Sequence, residues 1–487
     1  MDIQPKPLRE WLLIGAMLAV AGLPLVIVPL GLILASMLWD APWPVLIPLL
    51  WPLGTVVAGA VGTVTGRDRI PGRAVRPKDE PELCALVRDV AERAGFQEPL
   101  LVQVVPDADA SLGRVRAGGV RAYALVLGLP LLRALTAAEL ASVIAHELGH
   151  ERHIRDRRTH LLQLARGALT ARLDRRFRPL APLATPLLRA TQPQVWRAET
   201  AADADAVRVA GTAATAEALR RSGMLHAAFE GLGGAWWAEC AEKDMYPEDF
   251  YDALDTALRD PLVAHHTARA AAADEEEAAL DPYAMEGHPP TAERIAALPA
   301  DVEASSPYGD APVVLRTAES LESWCVKEIA EVEDAAVDNC RPVRLLDLPD
   351  DELHDLDDGM ARALLLRATG QEALEQAVSA ALDSVADGTW PRLARRLEPG
   401  LRWMPATVRP VTARRVLAVA VTSGLESVLR EAGWTYAGRW LNSVLTTPEG
   451  TVVVDLRELV TDALTDGEPA PVRDLLATAG TRQETAA

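Results

Sequence analysis

The residues best suited to chemistry stand together at His146-Glu147-Leu148-Gly149-His150. Histidines four apart lie on one face of a helix, so both imidazoles can reach a single ion. The carboxylate beside the first is placed to take a proton from water that such an ion activates. A catalytic zinc site takes three protein ligands and keeps a fourth position open. One common variant has a third histidine six residues after the second, but Asp156 stands there and excludes it. His153 and His160 are the nearby histidines; His153 lies one turn further on, where a helix-end or ligand-supporting role fits it. Glu199, in the stretch 196–203 that ends at Asp203, is the other candidate third ligand. At i and i+4 the two carboxylates face the same way, so one could bind the ion while the other accepts the N–H of a ligand histidine. Alanines at 198, 201, 202 and 204 would let this helix pack closely on the first. An exposed acidic helix would show the same spacing, so spacing alone leaves both readings open.

Several elements must position these side chains. Thr136 and Glu139 match a capping box, which opens a helix that buries Leu140, Val143 and Ile144 and carries the two histidines. Upstream, Glu80 to Gly95 has helical apolar spacing and a terminal glycine, and Leu100 to Val105 reads as a short buried strand. Ser111 to Leu127 reads as a hairpin turning at Gly118-Gly119. Downstream, Arg155 to Arg178 holds eight arginines and is amphipathic at most. Pro179 to Pro193 reads as a connector, with the second helix beginning near Trp196. Residues 213–280 are Ala-rich and helical, with the acidic run Asp274 to Glu277 expected on a solvated face or loop. After Pro299 come helices near 316–337, 359–387 and 411–432, then a strand hairpin around Pro448-Glu449-Gly450. No internal repeat is found, so a solenoid platform is not indicated.

The chain carries 49 Lys+Arg against 69 Asp+Glu, a formal net charge of −20, and this argues against a nucleic-acid partner. The charge is unevenly placed: from Trp11 to Gly66 the one charged residue is Asp40. The blocks Trp11–Trp39 and Pro42–Gly66 each exceed the roughly 20 helical residues that a bilayer core requires. Pro24, Pro29, Pro48 and Pro52 are expected to kink or trim them. Lys6 and Arg9 precede the first block, and Arg67, Arg69, Arg73, Arg76 and Lys78 follow the second, which puts both ends at the cytoplasm. A signal peptide is the poorer reading, because the apolar region is too long and lacks a clean cleavage site. Cys84, Cys240, Cys325 and Cys340 form no CxxC pair, as expected of reduced thiols in a cytoplasmic domain.

The combination of HExxH with E-x-x-A-D on a later helix resembles the gluzincin membrane peptidases of the HtpX and CAAX-prenyl-endopeptidase family. The approach Leu135 to Ala145, the segment Gly287-His288-Pro289-Pro290 with Glu293-Arg294-Ile295, and the N-terminal hairpin resemble that family too, over roughly residues 10–298. The resemblance implies one Zn2+ per chain held by His146, His150 and Glu199, with Glu147 as general base and Asp203 supporting a ligand. It places His288 and Arg294 near the active site, where His288 could steady the oxyanion, regulate access to the metal, or cap the following helix. Two departures stand out. The region between the zinc motifs, Leu161 to Arg189, is Arg-rich instead of apolar and is expected at the membrane surface. Asp109-Ala110 replaces the family's Asn-Ala before the edge strand, to which a substrate strand could still add through backbone bonds.

The expected fold is mainly α. It comprises a transmembrane helical hairpin (1–66), a zincin-type metallopeptidase domain with a small β-sheet (67–299), an α+β C-terminal region (300–475) and a disordered tail (476–487). The expected activity is zinc-dependent endoproteolysis of membrane-associated protein substrates, as in membrane-protein quality control, by a multi-pass plasma-membrane protein whose catalytic domain is cytoplasmic. Its expected partners are those substrates and the lipid bilayer. A catalytically silent membrane-anchored binding or scaffold protein on the same fold is the alternative.

Overall fold

The computed structural model describes residues 8–23, 71–117, 120–153, 157–170, 181–281, 288–300, 306–332, 340–354 and 359–486. They are mainly helical with small sheets. The chain divides into two compact units, neither continuous in sequence: Met1–His226 with Tyr283–Cys325, and Ala227–Pro282 with Val326–Ala487.

In the first unit, helix α1 (8–23) precedes strand β1 (Arg73–Val75), helix α2 (Pro81–Ala94) and strand β2 (Leu100–Val105). Strands β3 (Ala110–Ala117) and β4 (Val120–Gly128) follow, then helices α3 (Leu129–Ala134), α4 (Ala137–His153), α5 (Arg157–Thr170), α6 (Ala181–Ala210) and α7 (Thr212–Ala228). The sheet order is β1-β2-β4-β3, with β2 and β4 parallel and the outer pairs antiparallel, so β3 lies at an edge. Leu125 and Leu127 on β4, and Leu140 and Ile144 on α4, are fully buried. That shared core fixes the motif helix against the sheet, since apolar burial is the main favourable term in folding.

The capping box forms as expected. The Thr136 amide donates to the Glu139 carboxylate at 2.8 Å, and the Glu139 amide to the Thr136 hydroxyl at 3.2 Å. Residues beyond 300 complete this unit: the amides of Ala137 and Ala138 donate to the carbonyls of Ala311 and Gly309. The buried Glu80 carboxylate accepts from the amides of Arg316 and Thr317.

The expected connector at Pro179–Pro193 is instead helical, because α6 starts at Ala181 and runs through Pro186 and Pro193. Each proline removes one backbone bond, but tertiary packing outweighs the loss. Ala181, Ala184 and Leu188 bury against Leu162, Ala165 and Leu169 of α5 and Ile14, Met17 and Ala21 of α1. The buried Arg166 donates to the Leu188 carbonyl at 2.9 Å and Arg197 to the Pro193 carbonyl at 2.9 Å. Most of the expected membrane hairpin falls on residues 24–70, outside the described residues, as do Gly118-Gly119. Among the described residues no helix is long and apolar enough to cross a membrane.

The second unit is built on the buried helix Arg409–Glu431, packed by Gly359–Thr369, Leu374–Ala386, Trp390–Leu397 and Leu456–Asp466. A three-stranded sheet of Thr435–Tyr436, Val444–Thr446 and Val453–Asp455 contains the expected hairpin. The short parallel pair Met245–Pro247 with Arg341–Val343 had no signal in the sequence. The acidic run is not wholly solvated, since Arg415 pairs with both Asp274 and Glu277. The last helix, Ala470–Ala486, takes in the stretch expected as a tail and starts by burying Val472 and Leu476 at i,i+4.

Candidate metal centre

Helices α4 and α6 pack side by side, and small residues let them approach. A Cβ on Gly149 would lie 3.2 Å from the Ala202 Cα and 3.4 Å from the Asp205 Cβ. This contact faces His146 and His150 of α4 toward Glu199 and Asp203 of α6. One ligand atom from each of His146, His150 and Glu199 lies within 4.8 Å of the others. The two imidazole Nε2 atoms are 3.0 Å apart, and the Glu199 carboxylate lies 3.3 Å from His150 Nε2 and 3.5 Å from His146 Nε2. Two nitrogens and one carboxylate oxygen converging in this way fit a divalent transition-metal ion.

The neighbours fix the orientation of the set. Asp203 faces His146 Nδ1 at 2.9 Å, so the other ring nitrogen, Nε2, is directed to the centre. Arg294, on the short helix Thr291–Ala296, grips Asp203 in a bidentate pair at 2.7 and 3.0 Å. His288 meets Glu199 through Nδ1 while keeping its side chain 56% exposed, so it stands at the open side of the centre. All seven residues singled out in the sequence therefore meet in one place. His266 and His354 lie in the second unit, where His266 pairs with Asp455 at 2.6 Å and His354 stacks on Tyr436.

Electrostatics agree with a cation-seeking cluster. Burial by itself would push the His146 imidazolium down, but bonds to Asp203 and Glu199 outweigh it and take it up to about 9. Burial drives His150 down to about 4, with charge on His146 acting the same way. Burial opposes ionisation of Asp203 and Glu199 as well. His146 and Arg294 nevertheless hold Asp203 down to about 2, and His146 and His288 hold Glu199 well below the usual carboxylate range. The centre thus retains a proton on His146 where three donors converge, and a divalent cation meets the same demand with more charge. Glu147 has the opposite character: burial pushes its carboxyl up to about 7.

A cavity of about 160 Å³ opens at Glu147 and His146. Asp109 and Ala110 line it, set there by close packing of the preceding loop on Gly128, where a Cβ would lie 2.0 Å from the Asp107 carbonyl oxygen. Leu131, Val143, Ala206 and Leu219 also line it, with the hydroxyls of Ser142 and Thr215 bonded to each other at 3.0 Å. Sequence reasoning missed these lining residues and also Glu151, which accepts from Arg114 Nε at 3.0 Å and from the Tyr123 hydroxyl at 2.7 Å. The position of Glu151 directly after the second motif histidine was the available signal.

No solved structure matches the chain. The model of peptidase family M48 matches residues 77–302, a span that contains every residue of the centre. With a His-His-Glu cluster and an adjacent half-buried glutamate in hand, the region 77–302 is similar to peptidase family M48, a family of metallopeptidases.

Proposed function

We propose that this protein is a zinc-dependent endopeptidase, anchored in the plasma membrane with its catalytic domain on the cytoplasmic side, that cleaves membrane-associated protein substrates in quality control. The observation that carries this reading is the convergence of His146, His150 and Glu199 beside Glu147, with His146 and Glu147 lining a cavity. Those three residues would hold the ion. When bound, zinc supplies Lewis-acid polarisation of the scissile carbonyl and makes water more acidic.

The remaining chemistry belongs to the chain itself. Glu147, with its carboxyl pushed up to about 7, is matched to accept a proton from the attacking water near neutral pH. The same group then returns the proton to the departing amine, so its charge state is restored after each turnover. Asp203 holds the His146 tautomer, and Arg294 holds Asp203. His288, exposed at the open side, is placed to meet the substrate carbonyl oxygen or to screen the ion. The edge strand β3 begins at Ala110, which lines the cavity, and among the described residues its outer side pairs with no strand, so its backbone groups suit an extended substrate.

Membrane anchorage is supported by the charge-poor stretch from Trp11 to Gly66 and by its basic flanks. The docking of α1 on α5 and α6 supports it further, since it ties the start of that stretch to the catalytic unit.

The test is Glu147→Gln in purified full-length protein. Zinc content measured by mass spectrometry should be unchanged, and cleavage of an unfolded protein substrate should fall by about 10²–10⁴-fold. Undiminished cleavage with zinc in place would overturn the mechanism.

A further inference from the structure

Strand β3 leads away from Ala110, which lines the cavity, and its outer side pairs with no strand among the described residues. Its register with β4 sets Arg114 opposite Tyr123 and Arg116 opposite Arg121. Side chains alternate along a strand, so Arg114, Arg116, Arg121 and Tyr123 share one face of the hairpin. This is the face toward α4, because Arg114 and Tyr123 both reach Glu151. Arg116 and Arg121 are exposed and make no ion pair or side-chain hydrogen bond among the described residues.

Like charges directly opposite each other cost stability. Here they persist in a chain with 69 acidic against 49 basic residues, where carboxylate partners are plentiful. From Ala110 to Ala138 every charged residue is an arginine, so the edge runs from Asp109 at the cavity into a locally positive face. An extended chain that adds to β3 also alternates its side chains. Those on the α4 face would meet Arg114 and Arg116, about 13 and 20 Å from Ala110 at the usual strand rise.

We infer that this face of the hairpin recognises an acidic stretch of the extended substrate, about four to six residues from the scissile bond. The inference rests on the peptidase reading above. It assigns Arg116 and Arg121 to substrate choice, with Arg114 held in place by Glu151. Carboxylates at those substrate positions relieve the like-charge pair, and lysines there add to the repulsion. The competing role is protection of a free edge against unwanted strand pairing, which needs charge but no acidic partner.

The test uses full-length, zinc-loaded protein in detergent and fluorogenic peptides that share one cleavable core. Each peptide carries Glu, Gln or Lys at about four to six residues to either side of the scissile bond. Glu peptides should be cut with kcat/KM about fivefold above Gln peptides, Lys peptides should be slower still, and high salt should close the gap. R116E/R121E should reverse the order, R116Q/R121Q should level it, and both should cut the unflanked core at the wild-type rate. Equal rates for all flanks in the wild type, or a preference that survives the charge reversal, would overturn the inference.

If the peptidase reading itself failed, no peptide would be cut, so recognition is also measured without turnover. Fluorescein-labelled versions are titrated against the Glu147→Gln protein by anisotropy. Tighter binding of Glu than Lys peptides supports recognition whether or not the bond is cut, and equal binding overturns it. Vesicles containing anionic phosphatidylglycerol form the last arm. If charge reversal weakens vesicle adsorption but leaves peptide preference intact, the arginines serve lipid and the inference falls.

Discussion

At the residue scale, the centre is a competition between a proton and a metal ion for the same donors. His146 is raised to about 9 by Asp203 and Glu199, so at neutral pH the ring is protonated without an ion. A ligand nitrogen must be deprotonated to bind metal. The sign follows: affinity weakens as pH falls below that raised value, and binding near pH 7 releases about one proton per ion. Calorimetry of zinc binding in buffers of different ionisation enthalpy reads that number directly, and zero release would contradict the protonated ring. Asp203 gives a second handle, because it is the group that orients His146. Asp203→Asn should weaken zinc affinity by about 10- to 100-fold, measured by competition with a chelator, while leaving the three ligands in place. His146 and His150 were legible in the sequence because i,i+4 spacing on a helix is a purely local matter, whereas the spacing of Glu199 and Asp203 fitted an ordinary acidic helix equally well and the family resemblance decided between the two. Glu151 and the cavity hydroxyls were not legible, since their partners Arg114, Tyr123 and Thr215 come from other elements.

At the element scale, the site depends on how closely α4 and α6 approach. Gly149 permits that approach, since even a Cβ there sits 3.2 Å from the Ala202 Cα. Gly149→Leu should overpack the contact at a cost of about 1–3 kcal/mol. It should also move Glu199 and Asp203 away from the histidines, so bound zinc drops along with the melting temperature. A lowered melting temperature with full zinc occupancy would show that the helix contact does not set the metal geometry. The capping box at Thr136 was readable because its two hydrogen bonds join residues three apart. The start of α6 was misread for the opposite reason. Pro186 and Pro193 argue locally for a break, and only the burial of Ala181, Ala184 and Leu188 against α5 and α1 overrides them.

At the scale of the whole molecule, the charge distribution divides the work. The acid excess gives the −20 balance, while Trp11 to Gly66 is nearly free of charge and the β3–β4 hairpin carries only arginine. If the charge-poor stretch is a membrane hairpin, the full-length protein stays in the membrane pellet through alkaline carbonate extraction and leaves it in detergent. Release by carbonate alone would make the attachment peripheral and would remove the multi-pass reading. Unit composition was hidden from the sequence. Segments 227–282 and 326–487 fold together, and 283–325 returns to the metallopeptidase unit to cap α4 and to bring Arg294 to Asp203.

The sequence by itself determined the His146-Glu147-His150 pattern and the cap, because each is a pattern of side chains within one or two turns of helix, whereas Glu199 and Asp203 were picked out by the family resemblance. It also determined the charge-poor N-terminal stretch, since hydropathy is a property of composition. Only the tertiary structure decided that Glu199 faces His146 and His150, that Arg294 grips Asp203, and that α6 continues through two prolines. Those outcomes depend on long-range packing, where the energy of burying one element on another outweighs the preferences of any short stretch.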